Sequence, residues 1–232
     1  SYTIPPRTTI IGIIAAILGR DRDSYYEEFS KEKCEIGIQK LCKTLKMTNT
    51  LNYEKCIRSN DAMKNRKFSE HTQIPVEIII GKSIEDDIKT ENMYLIKYRI
   101  FLWHEKEQIM ENLYTRLNKK EYYYSPYFGI ASFNCWSDYV DWGNMEIINK
   151  EKANFVGPVN SKVIKNFKIK EGLFLTKERM PADFDANRIL KEANDYVFDE
   201  NGQEIEMSLN SEYAHIEFIY NNDKKQINIL FL

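Results

Sequence analysis

Residues Ile10 to Leu18, IIGIIAAIL, run for a helix's length without one polar side chain. A segment apolar on nearly every face is not an amphipathic surface helix and has to be covered on most sides. It is also too short to span a bilayer, which takes ~20 residues. Pro5 and Pro6 fix an extended entry, Thr8 or Thr9 stands where a cap belongs, and Gly19 follows the last apolar residue. These signals predict a buried helix. The two leading prolines, and the lack of a small-residue cleavage site before Arg20 and Asp21, set the run apart from a secretory leader. Any fold available to this chain must therefore enclose a helix. With 232 residues, 43% of them hydrophobic, it can do so as one large domain or two small ones.

The remaining pattern is mixed. Asp23 and Ser24 predict a second short helix through Tyr25, Tyr26 and Phe29, and Ile36, Ile38 and Leu41 begin a strand that continues toward Leu45 and Met47. From Asn49 to Thr72 apolar periodicity is lost, a polar excursion of a length that tends to be functional. Strands are predicted over Ile74 to Ile80 and Tyr94 to Leu102, then a helix over Glu105 to Leu117 with Ile109, Met110, Leu113 and Leu117 at helical spacing. A turn at Tyr122 to Gly129 enters a strand at Ile130 to Phe133. Extended pieces follow at Glu146 to Ile148, Lys162 to Ile169 and Leu173 to Thr176. The chain closes on a hairpin, Tyr213 to Tyr220 and Ile227 to Leu232, about Asn221-Asn222-Asp223. This order predicts an α+β fold with helices on one face of a sheet, ferredoxin-like (RRM-like) over 1–140, and a smaller antiparallel β part over 141–232.

Charge is split along the chain. Between Lys31 and Glu70 ten basic side chains face five acidic ones, whereas from Glu171 onward six basic face thirteen acidic, although the net charge is only −2. Such asymmetry points to one surface that meets a polyanion and another that meets solvent or basic partners. Lys40, Lys43, Lys46, Arg58, Lys64, Arg66 and Lys67 read either as phosphate contacts or as a solvated face. Arg7 beside Thr8 and Thr9 reads as a phosphate site at a helix start or as an ordinary cap. Tyr124 and Tyr127, in the Tyr122 to Tyr127 cluster, read as base-stacking rings or as core. Lys162, Lys165, Lys168 and Lys170 read as a phosphate track or a lysine-guarded strand edge. Arg179, in a predicted loop, can meet a base or phosphate, or pair with Glu178 or Asp183.

Cys34, Cys42, Cys56 and Cys135 form no CxxC pair and have no histidine at finger spacing, so no zinc, other metal or cofactor is expected. The thiols fit a reduced, cytoplasmic protein. His71, His104 and His215 stand in no catalytic motif, and there is no Walker loop and no Gly-x-Ser-x-Gly.

Four stretches together resemble CRISPR-associated protein family 5 of the RAMP superfamily, most like its type I-B branch. They are Ser1 to Thr8 (SYTIPPRT) running into Gly12 and Leu18-Gly19, Thr72 to Glu77 (TQIPVE), Tyr124 to Gly129 (YSPYFG) and Glu178 to Pro181 (ERMP). The resemblance implies a ferredoxin-like RAMP domain with a protruding thumb hairpin at 49–72. It implies an RNA-binding subunit of a type I surveillance (Cascade) complex that caps the 5′ handle of the CRISPR RNA without catalysis. Partners would be the backbone and large subunits, with target DNA met only indirectly and no membrane. Arg7, Thr8, Lys40, Lys43, Lys46, Arg58, Lys64, Arg66, Lys67, Tyr124, Tyr127 and Arg179 would be its RNA contacts. The family also has a strand upstream of the Pro5-Pro6-Arg7-Thr8 stretch, so one is expected before Ser1. One family branch cleaves precursor RNA with a metal-independent Tyr/Lys/His site, which makes an endoribonuclease the first alternative; a protein scaffold is the second.

Overall fold

A computed structural model describes residues 1–54, 71–83, 95–129 and 133–232. The apolar run is a helix, α1 (Arg7–Leu18), preceded by Pro6 in an extended conformation and closed by Gly19 at φ 76°. The amides of Gly19 and Arg20 reach back to the carbonyls of Ala16 and Ala15. That is the left-handed cap for which glycine is suited. Ile10, Ile11, Ile14, Ala15, Ile17 and Leu18 are all buried. The helix expected at Asp23 is instead a turn, with the Phe29 amide on the Tyr25 carbonyl at 3.1 Å. The Phe29 carbonyl at the end of this turn accepts from the Arg7 side chain at 2.9 Å.

The predicted strand from Ile36 to Met47 is two strands, β1 (Cys34–Lys40) and β2 (Cys42–Glu54). They part at Leu41, whose amide donates to the Lys97 carbonyl. β3 (His71–Ser83), β4 (Tyr98–His104) and α2 (Glu107–Lys119) follow. β1 pairs antiparallel with β4, and β2 pairs with β3 in an unbroken register from Cys42↔Ser83 to Glu54↔His71. Most of the excursion at 49–72, residues 55–70, lies outside the described residues, but its flanks are regular strand. Asn49 and Thr50 of β2 and Thr72 and Gln73 of β3 are exposed, so that part of the pair faces no core.

The C-terminal part is β throughout. It holds β5 (Asn144–Ile148), β6 (Lys152–Phe155), β7 (Val159–Asn160), a 3-10 turn (Ser161–Val163), β8 (Ile164–Lys168), β9 (Leu175–Phe184), β10 (Leu190–Asp199), β11 (Ile205–Leu209), β12 (Tyr213–Tyr220) and β13 (Asp223–Ile229). These form three antiparallel sheets, ordered β7-β10-β9, β6-β11-β8 and β13-β12-β5. The β12–β13 turn places Asn221 and Asn222 at φ 52° and 65°, the two-residue geometry that matches strand twist. The strand predicted at Ile130 to Phe133 falls mostly outside the described residues; beside it Tyr127 and Asn134 form a single bridge.

The result is an α+β architecture, mostly antiparallel strand with few helices. Its first core packs α1 and α2 against β1 and draws in Met180, Tyr196, Phe198 and Leu232. The core therefore crosses the expected 140/141 division. A second core centres on Phe155, Val159, Ile205, Met207, Leu209 and Tyr213, and a third on Ala214, Ile216, Phe218, Ile227 and Ile229.

Arg7 ties these parts together. Only 1% exposed, its guanidinium donates to the carbonyls of Phe29 (2.9 Å), Cys34 (2.7 Å) and Ala182 (3.4 Å), and lies 3.6 Å from the Asp183 carboxylate. This corrects the expectation of a phosphate contact: the donors are spent inside. Burial lowers the guanidinium's pKa from its ordinary value, while the nearby Cys34 and Asp183 oppose that shift.

Two outcomes follow. Arg7→Met leaves Asp183 with Lys191 alone and removes a donor from three interior carbonyls, and is expected to cost about 3–5 kcal/mol in a urea melt. Cys34 is fully buried, and burial pushes its thiol up to about 12. The unfolded chain releases that proton from about pH 8.5 while the folded chain keeps it. Stability should therefore fall by ~1.4 kcal/mol per pH unit through that window. Cys34→Ala is expected to flatten the alkaline limb of the stability profile by that amount.

Candidate nucleic-acid interface

Alternation along the β2–β3 hairpin sorts its side chains into two faces. Lys43, Leu45, Met47, Asn49 and Leu51 share one face with Ile80, Ile78, Val76 and Ile74 across the register. Leu45, Met47 and Ile74 on it are exposed. Lys46 lies on the other face and roots the hairpin. Its ammonium donates to Glu178 Oε1 at 3.1 Å and the Ser1 carbonyl at 3.3 Å, while the Ser1 amino group pairs with Glu77 at 3.0 Å.

The predicted basic residues separate by depth. Lys43 is exposed, with its ammonium 5.7 Å from the Phe174 ring centroid, and Lys46 is half-exposed. Lys40 is buried and corrects the reading of it as a phosphate contact. Its ammonium donates to Thr44 Oγ1 at 2.6 Å, lies 3.7 Å from Glu200 and sits over Phe198. Burial lowers its pKa and Glu200 resists that shift. Arg58, Lys64, Arg66 and Lys67 lie outside the described residues. Thr8 is partly buried on the first turn of α1, beside the internalised Arg7.

The tyrosine cluster caps α1. The amides of Tyr123 and Tyr124 donate to the carbonyls of Ile17 and Ala16 in the last turn, the latter shared with the Gly19 amide. Tyr122 turns inward and donates to the Ser137 carbonyl at 2.7 Å, whereas Tyr124 and Tyr127 are each 47% exposed. Sequence reasoning missed the aromatic surface that continues from them. Phe133, Trp136 and Trp142 are exposed, and Tyr139 and Trp142 pack on Tyr114 of α2. The available signal was the three-residue spacing of Phe133, Trp136, Tyr139 and Trp142 in a stretch with no strand pattern.

Arg179 lies on strand β9, not in a loop, and points to solvent. Neither expected ion-pair partner is available to it. Glu178 faces the opposite way to accept from Thr3 and Lys46, and Asp183 is taken by Arg7 and Lys191. The nearest carboxylate is Asp195, at 3.9 Å. In the other basic strip, Lys165 pairs with Glu151 and Lys170 with Glu206. Acids from neighbouring strands thus offset part of that track.

His104 is buried with both ring nitrogens engaged. The Lys106 amide donates to Nδ1 at 3.0 Å, which leaves Nε2–H to donate to the Glu28 carbonyl at 2.9 Å. His215 Nδ1 meets Asn228 Oδ1 at 2.8 Å. His71 is placed only as backbone in β3. Among the described residues no group of three or more His, Cys, Asp or Glu side chains is placed to hold a metal ion. No described helix is long and apolar enough to cross a membrane.

A family model described as CRISPR-associated protein (Cas_Cas5) matches residues 1–98, the span that holds α1, β1 and the β2–β3 hairpin. No curated protein matches the chain.

A Cβ at Gly19 would lie 2.5 Å from Cγ of Tyr123, at a backbone angle that side chains rarely adopt. Gly19→Ala is therefore expected to cost ~1–3 kcal/mol in thermal or urea unfolding. It should also shift the near-UV circular dichroism of the tyrosine cluster.

Proposed function

The first 98 residues belong to the CRISPR-associated Cas5 family, and from that premise we propose that the protein is an RNA-binding subunit of a type I CRISPR surveillance complex. It caps the 5′ handle of the guide RNA and does not cut it. In this reading β1, β4 and the two helices belong to a ferredoxin-like RAMP domain, and the β2–β3 hairpin is its thumb, most like that of the type I-B branch. Lys43 and the basic residues of the arm meet phosphates, Tyr124 and Tyr127 stack on unpaired bases, and the assembly works in the cytoplasm. The large subunit docks on another face.

The observation that carries the reading is the hairpin. Its two thirteen-residue strands form a sheet of their own among the described residues, fixed at the base by Lys46 to Glu178 and Ser1. A two-stranded ribbon this long needs something to lie against it. Its exposed Leu45, Met47 and Ile74 suit a polypeptide neighbour such as the backbone subunit. Its lysines suit a phosphate chain.

The endoribonuclease alternative needs a base for the 2′-hydroxyl and an acid for the leaving oxygen. His104 supplies neither while both its nitrogens are held by backbone groups. That geometry favours the non-catalytic reading.

In the assembled complex, Tyr124→Ala and Tyr127→Ala are each expected to weaken retention of the guide handle by ~1–3 kcal/mol. Repeat RNA incubated with the protein in EDTA should remain intact. Specific cleavage abolished by His215→Ala or His71→Ala would reject the proposal in favour of the nuclease.

A further inference from the structure

Phe174 stands one step before β9 and is 60% exposed. A single phenylalanine on a surface is ordinary; what sets this one apart is how firmly its backbone is held. Its amide donates to Asp199 Oδ1 at 2.7 Å, and its carbonyl accepts from the Glu200 amide at 2.8 Å. Asp199 is buried, and its other oxygen accepts from the amides of Asn201 and Gln203 at 2.8 and 2.9 Å. The turn before the ring is tied to the same loop, since Asn201 Nδ2 donates to the Gly172 carbonyl at 3.3 Å. A desolvated carboxylate satisfied by backbone amides thus fixes the chain that carries an apolar ring into solvent.

The ring also has a defined place in the fold. Phe174 continues the alternation that puts Thr176 and Glu178 on one face of β9, and Glu178 is the residue that holds Lys46 at the root of the hairpin. From β2 the exposed Lys43 brings its ammonium to 5.7 Å from the ring centroid. A flat aromatic face and a cation therefore meet where the hairpin joins the C-terminal part.

We propose that Phe174 is a stacking platform for one unpaired base of a bound RNA strand. The inference deepens the RNA-binding reading and rests on it, but Phe174 lies outside the matched span and is none of the contacts that the resemblance implies. A phenyl ring has no hydrogen-bonding atom, so it takes any base by its π-face and reads no sequence. At 5.7 Å the ammonium is near the outer limit of a cation–π contact, and it yields the ring face to a base while staying within reach of that nucleotide's phosphate. The same lysine disfavours an apolar protein anchor on the ring, which would desolvate the ammonium and bring nothing to pair with it.

The experiment measures binding of oligouridylate to the whole chain as a function of salt. Phe174→Leu keeps apolar bulk and removes the π-face; it should weaken binding about five- to hundredfold at every salt concentration. The slope of log affinity against log salt should not change, because stacking releases no counterion. Phe174→Trp should bind at least as tightly as the parent, and its added indole emission should be quenched by the RNA, a signature that a purely structural role would not give. Lys43→Gln is the comparison and should lower the slope by about 0.7. If it does so while Phe174→Leu binds like the parent and the emission of Phe174→Trp is unmoved by RNA, the platform is overturned and the RNA-binding reading stands. A ring that anchors a protein partner instead would give that same result. If Lys43→Gln and the Phe174 variants all leave binding unchanged, or the chain does not bind oligouridylate, both fail.

Discussion

A buried guanidinium organises this molecule. Arg7 opens α1, yet the groups it satisfies come from the turn before β1, from the first residue of β1 and from the end of β9, up to 176 residues away in sequence. Helix, first sheet and C-terminal part therefore meet at one cation, and a chain lacking it would take a donor from three interior carbonyls and leave the Asp183 carboxylate with Lys191 alone. The apolar α1 is consistent with that arrangement. A helix with no polar face has to be enclosed, and Met180, Tyr196, Phe198 and Leu232 help to enclose it from the far end of the chain.

This internal use of charge changes the meaning of the basic segment. Lys40 and Arg7 are structural, each solvated by protein groups in place of water. Of the residues expected to contact phosphate, Lys43 and Lys46 are the described ones that stay on the surface at the base of the hairpin, and Lys46 divides its charge between holding the arm and facing outward. Electrostatic attraction for a polyanion is thus spread more thinly over the described body than the sequence count suggests.

Local signals and distant ones were unequally legible. The helix α1 was readable because Pro6 and Gly19 bound an unbroken apolar run, α2 because its apolar residues keep helical spacing, and the last hairpin because Asn221-Asn222 favours positive φ. Strands β9 to β11 were largely missed, because their partners are fixed by pairing across the sheet and by bulges at Leu190 to Ala193. The burial of Arg7 and Lys40 could not be read locally either, since Asp183 and Glu200, the acids that stabilise them, lie far along the chain. The apolar alternation of Leu45 and Met47 and of Ile74 to Ile80 marked the inner parts of the hairpin strands, whereas the polar residues from Asn49 onward gave no local sign that β2 and β3 stay paired out to Glu54 and His71. In the site, the exposure of Tyr124 and Tyr127 agreed with one of the two readings the sequence left open. The partners of Arg179 had to come from the structure.

The central claim is that the hairpin root and the exposed Tyr124 and Tyr127 face guide RNA in the assembled complex. It is tested most directly by photo-crosslinking a guide with 4-thiouridine in its 5′ handle and mapping the modified peptides. The account predicts adducts on the peptides holding Lys43 and Tyr124 to Tyr127. Adducts confined to other subunits, with those peptides protected only by polypeptide, would contradict it.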